Sequence, residues 1–193
     1  MKYLKSILFI FLCAITTNLY AQSVNETIEK QFTEYSQLVI DKEFDKALNY
    51  APKEIFEVIP KEQMVKMMEM VLNSTDFEYK ATLPKVIGIS DIIKIEEVNY
   101  VKIKTSSEVQ MKFLELEEDE DREMKISLYK LSFEKKFGIG NVKYNEETHF
   151  FEINSTKNAI AKLNDLKEWK FVIVENDNQK LLLERFIPKQ LFE

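Results

Sequence analysis

Residues 77–83 read FEYKATL, and the fold class turns on them. Phe77, Tyr79, Ala81 and Leu83 alternate with Glu78, Lys80 and Thr82. A repeat of two puts the apolar residues on one face of a half-buried strand. Upstream the repeat is different. Val24, Ile28, Phe32, Tyr35 and Val39 recur at spacings of four, four, three and four, which is one face of an amphipathic helix. Ser23, with Glu26 three residues later, suits the start of that helix as a capping box. Phe44, Ala47, Leu48 and Ala51 mark a second helical stretch over 43–51. Pro52 and Pro60 each suit the first position of a new helix, and the one opened by Pro60 runs to Asn73-Ser74. The chain therefore changes from helical to strand period near residue 75.

Further along, 86–95 is apolar and branched, interrupted by Gly88 and Ser90-Asp91. Residues 98–103 and 109–113 continue the strand signal, with Thr105-Ser106-Ser107 a turn or a bulge within one long strand. The acidic run 115–123, then Lys135-Lys136 and Gly138, suit the dipole and C-cap of a helix over about 121–137. A strand is the rival reading there, because Met124/Leu128/Leu131 and Ile126/Tyr129/Phe133/Phe137 form two apolar faces. Val142 to Ile153 reads as a hairpin, 156–163 as strand or short helix, and Trp169–Val174 as the clearest strand. Asp177 then caps a closing helix that Pro188 ends. The expected class is α+β, with N-terminal helices packed on a twisted antiparallel sheet, a helical insertion and a short C-terminal helix.

The first 21 residues carry an expectation of their own. Lys2 and Lys5 precede an apolar run over 7–15, and Leu19-Tyr20-Ala21 precedes Gln22. That is the order of a secretory signal peptide cleaved after Ala21, and the run is too short to span a bilayer. The chain is expected to be exported, to periplasm or medium, with 22–193 as one domain and no stable membrane span. That part has 25 basic and 33 acidic residues, net −8. An acidic chain without a basic stripe is a poor partner for nucleic acid. The only cysteine, Cys13, leaves with the signal, so no disulfide or thiol chemistry is expected. Asn25, Asn73 and Asn154 head glycosylation sequons, relevant only in a cell that glycosylates asparagine.

Catalytic and metal motifs are sparse. His149, the one histidine, stands beside Phe150-Phe151 with no partner in view, and Asp91 lies in a turn-forming Ser90-Asp91. There is no HExxH, no CxxC, no nucleophile elbow and no glycine-rich phosphate loop, so neither metal nor cofactor is expected. The acidic run lacks the Asp-rich, glycine-bearing pattern of a calcium loop. One stretch stands out: QMVKMMEM at 63–70 holds four of the seven methionines. Thioethers suit Cu(I). On a helix, however, Met64, Met67, Met68 and Val71 fall on one stripe, as core or pocket wall. Met70 lies off it and has no account.

The opening helix 24–39, the helix Lys61–Leu72 and EWKFVIVEN at 168–176 follow one another in an order that resembles the nuclear transport factor two-like, or cystatin-like, superfamily. The stretches at 135–153 and 169–189, and the Ala21-Gln22 junction, resemble exported Bacteroidetes proteins of that plan. The resemblance implies a cone-shaped fold. It fixes no function, since the superfamily holds isomerases, dehydratases, hydrolases and binding modules. The expectation is a non-enzymatic binding module for an apolar small molecule or a protein partner. Met64, Met67, Met68, Val71, Trp169 and Phe171 would form its pocket wall. The alternatives are an isomerase or dehydratase using an isolated pocket acid or His149, and a structural module that forms a homodimer.

Overall fold

The computed structural model describes residues 24–116, 121–165 and 167–192. The signal-like stretch 1–21, Ser23 of the expected capping box and residues 117–120 of the acidic run lie outside them. Helix α1 covers residues 24–40. It is followed by α2 (Phe44–Ala47) with a 3-10 turn at Leu48–Tyr50, α3 (Ile55–Val58) and α4 (Lys61–Leu72). Next come β1 (Phe77–Ala81), β2 (Lys85–Ile89), β3 (Ile93–Ile95) and β4 (Val98–Phe113). A 3-10 turn at Leu114–Leu116 leads toward α5 (Arg122–Phe137), then β5 (Val142–Tyr144), β6 (Phe151–Leu163) and β7 (Trp169–Val174). The described chain closes with α6 (Asp177–Leu183) and a 3-10 turn at Lys189–Phe192. The α+β class is what the chain adopts: helices and one seven-stranded sheet in which every described pairing is antiparallel.

Two long strands organise the sheet. β4 and β6 pair without a register break from Tyr100↔Lys162 to Met111↔Phe151. β1, β2 and β3 lie end to end along the free edge of β4. β5 and β7 do the same along β6, meeting it at 151–153 and 158–163, so among the described residues no strand flanks 154–157 on that edge. Three open readings of the sequence close here. Thr105-Ser106-Ser107 is continuous strand within β4, residues 156–163 belong to β6, and 122–137 is helix. Gly138 follows α5 with a φ of 96°, a conformation glycine adopts without cost, and its N–H returns to Glu134 O. The closing helix is capped one residue earlier than expected, by the Asn176 side chain accepting from Gln179 N–H.

Because side chains alternate along a strand, odd-numbered residues of β4 and β6 share one face and even-numbered ones the other. The odd face carries two separate cores. At one end Ile28 and Phe32 of α1 pack on Val101, Ile103, Ala159, Ala161, Trp169 and Phe171. Phe32 meets Phe171 edge-on, ring centroids 5.3 Å apart. At the other end α5 lies over Phe151 and Ile153, with Tyr129 stacked on Phe113 at 4.2 Å. The two-faced pattern of α5 is thereby explained. Ile126, Tyr129, Phe133 and Phe137 pack toward the sheet, while Met124, Leu128 and Leu131 are exposed. On the even face, α3, α6 and the C-terminal turn bury Ile55, Leu183, Ile187 and Leu191 against Tyr100, Ile160 and Val172. Among the described residues no helix is long and apolar enough to cross a membrane.

Candidate functional site

Between the two cores of the odd face, both central strands turn polar. Along β4 the odd residues run Val101, Ile103, Thr105, Ser107, Val109, Met111; along β6, in the opposite direction, Ala161, Ala159, Lys157, Ser155, Ile153, Phe151. The unbroken register brings the two polar steps together, Thr105 opposite Lys157 and Ser107 opposite Ser155. Helix α1 does the same one turn beyond Phe32. There Ser36 is buried, its hydroxyl donating to Phe32 O at 2.8 Å, and Tyr35 stands beside it. β1 adds Tyr79, and Glu175 follows β7 directly.

These groups line a cleft with two adjoining lobes. One, of about 430 Å³, lies along α1 and takes in Tyr35, Ser36, Val39, Thr105 and Ser107. The other, of about 460 Å³, lies along α5 and takes in Met111, Phe133, Phe137, Ile153 and Ser155. Leu72, Tyr79, Val109, Lys157 and Glu175 line both and form the waist. Each lobe falls within the size range of small-molecule sites.

The polar groups of the cleft have distinct states. Lys157 and Glu175 make an ion pair at the waist, in the position that would continue the β6–β7 ladder beyond Asn158↔Val174. Burial, and secondarily the Glu175 carboxylate, push the Tyr35 phenol up to about 12. Burial also raises Tyr79, opposed by Lys157 and assisted by Glu175. Thr105 is buried with its hydroxyl donating to Lys157 O at 3.3 Å. Ser155 is 2 % exposed, and its hydroxyl has no hydrogen-bond partner among the described residues. Such a group costs about 1–3 kcal/mol in a folded protein and calls for an explanation.

The structure distributes the residues expected to line the pocket. The odd face of the sheet is covered by α1 and α5. Only the last turn of α4, Val71 and Leu72, reaches the cleft. Its sheltered residues are Met64, Val65, Met68 and Leu72, and Met64 packs against the even-face core. Met67, at 50 % exposure, and Met70, at 74 %, point outward. Trp169 and Phe171 lie in the core beneath α1 and line neither lobe. His149 sits in the β5–β6 connection with a φ of 61°, and Asp91 in the exposed β2–β3 connection; neither lines the cleft. Among the described residues no three His, Cys, Asp or Glu groups are placed to hold a metal ion.

The hydroxyls and the ion pair were outside the expected set because Thr105-Ser106-Ser107 resembles a turn. The available signal was the odd-residue alternation of β4, apolar at both ends and hydroxylic in the middle. Compared with protein-family models, curated proteins and solved structures, the chain matches none.

Proposed function

We propose that this protein is an exported, non-enzymatic binding module with a nuclear transport factor two-like, cone-shaped plan, and that the cleft between α1 and α5 holds an apolar or amphipathic small molecule. One observation carries the reading: a strip of hydroxyls and an ion pair interrupts two apolar cores, at the point where two cavities adjoin. Polar groups at core positions lower stability, so proteins hold them mainly where function needs them. The cleft acid, Glu175, is ion-paired with Lys157, which suits an anchoring role.

Native mass spectrometry of the protein purified from its own host tests this. A bound mass of a few hundred daltons, lost on denaturation, is expected. Leu72→Trp and Val109→Trp, which each fill the waist, should abolish it while circular dichroism shows an intact fold. A bare protein, or a bound mass indifferent to both substitutions, overturns the proposal.

A further inference from the structure

Among the described residues, the charged residues lining the two lobes from the cleft side are Lys42, Lys136 and Lys157 against the single acid Glu175; Lys80 pairs with Gln110 at an even position, so its ammonium lies on the other face of the sheet. The chain as a whole has net charge −6, so this local excess of cations runs against its composition. Two of the three lysines, Lys42 and Lys136, make no ion pair among the described residues. Lys42 Nζ donates to Leu72 O at 3.0 Å and to Asn73 Oδ1 at 2.7 Å. Lys136 Nζ rests over the Phe137 ring at 5.2 Å. A concave surface of one sign, with low-dielectric walls, concentrates ligands of the opposite sign.

The hydrogen-bond inventory points the same way. In the α5 lobe, two residues along β6 from Lys157, the Ser155 hydroxyl is buried and has no partner among the described residues. The Tyr35 and Tyr79 phenols, near enough to Glu175 to feel its charge, make no hydrogen bond among the described residues. These three O–H groups and the Lys157 ammonium can donate; among the described residues the only side-chain carboxylate lining the two lobes is Glu175. Apolar walls lead away on either side, Val39 and Ile40 in one direction, Phe133 and Phe137 in the other.

Resting on the reading of the cleft as a binding site, we infer that its ligand is an amphipathic anion. It has a single apolar chain ending in a compact oxyanion such as a carboxylate, held where the waist meets the α5 lobe by Lys157 and Ser155, with the chain laid along one lobe. Glu175 then holds Lys157 in place, and the Ser155 hydroxyl, without a partner among the described residues, finds one in the oxyanion. Hydrogen bonds to a charged acceptor are about twice as strong as neutral ones, so the anion gains more from these donors than an alcohol does.

The experiment is displacement of Nile red, a neutral probe, by dodecanoate, 1-dodecanol and dodecylammonium, each below its micellar concentration. Dodecanoate should bind about tenfold more tightly than 1-dodecanol, one charged hydrogen bond being enough for that factor, and dodecylammonium most weakly. The advantage should vanish in Lys157→Gln, persist in Lys157→Arg and shrink in Ser155→Ala. Equal affinities for dodecanoate and 1-dodecanol, or tighter binding of dodecylammonium, overturn the inference while leaving the cleft a binding site. Failure of Nile red and of all three chains to bind overturns the binding reading as well.

Discussion

Replacing Ser155 by alanine should make the unliganded protein more stable, which few truncations of a buried residue do. The hydroxyl is 2 % exposed and unpartnered, so the folded state carries the desolvation cost of a polar group with no return. That cost is about 1–3 kcal/mol. Removing one oxygen leaves a void of roughly 10–15 Å³, and at about 24 cal/mol per Å³ this gives back about 0.3 kcal/mol. The net expectation is a gain of about 1–2 kcal/mol. For a domain of this size it raises the melting midpoint by about 2–8 °C. The single tryptophan, Trp169, is buried in the core and reports unfolding directly, so urea titration followed by its fluorescence is the assay. Thr105→Val is the control. Its hydroxyl donates to Lys157 O, so the same kind of change should cost about 0.5–1.5 kcal/mol, with the opposite sign. If Ser155→Ala lowers the urea midpoint as Thr105→Val does, the Ser155 hydroxyl is bonded in the folded state and the reasoning fails.

Lys42→Met should cost about 1 kcal/mol, because Lys42 satisfies Leu72 O and the Asn73 side chain at the end of α4; faster hydrogen exchange confined to the last turn of α4 would confirm the locus. Phe151→Ala, which empties the centre of the aromatic cluster under α5, should cost about 3–5 kcal/mol in urea denaturation, whereas Leu128→Gln on the exposed side of α5 should stay within about 0.5 kcal/mol. Glu54, where burial works against ionisation and the hydrogen bond from Lys162 works for it, is held below the ordinary carboxylate value. A depressed folded value means stability that is present above the unfolded glutamate range and lost as pH falls through the folded one. Glu54→Gln should therefore cost about 1 kcal/mol at neutral pH, and the difference from the parent should close on acidification; a difference that persists in acid refutes the assignment.

The periodicities were strong enough to be read without coordinates. Three- and four-residue spacing from Val24 to Val39 marked α1 and alternation marked β1, because a one-sided element carries its apolar residues on one face; the apolar run Trp169–Val174 marked β7, which is buried on both faces. What periodicity could not supply is which of two faces turns inward when both are apolar, as in α5. Nor could it give the orientation of α4, whose methionines offer overlapping stripes; packing against the rest of the fold selected Met64, Val65, Met68 and Leu72. The cleft belongs to the tertiary structure alone. Thr105 and Ser107 are fifty residues or so from Ser155 and Lys157, and a local reading makes the first pair a turn. Only the β4–β6 register sets Thr105 opposite Lys157 and Ser107 opposite Ser155. Local side-chain pattern determines an element; the meeting of two distant polar steps depends on how those elements pair, which no single stretch of the sequence encodes.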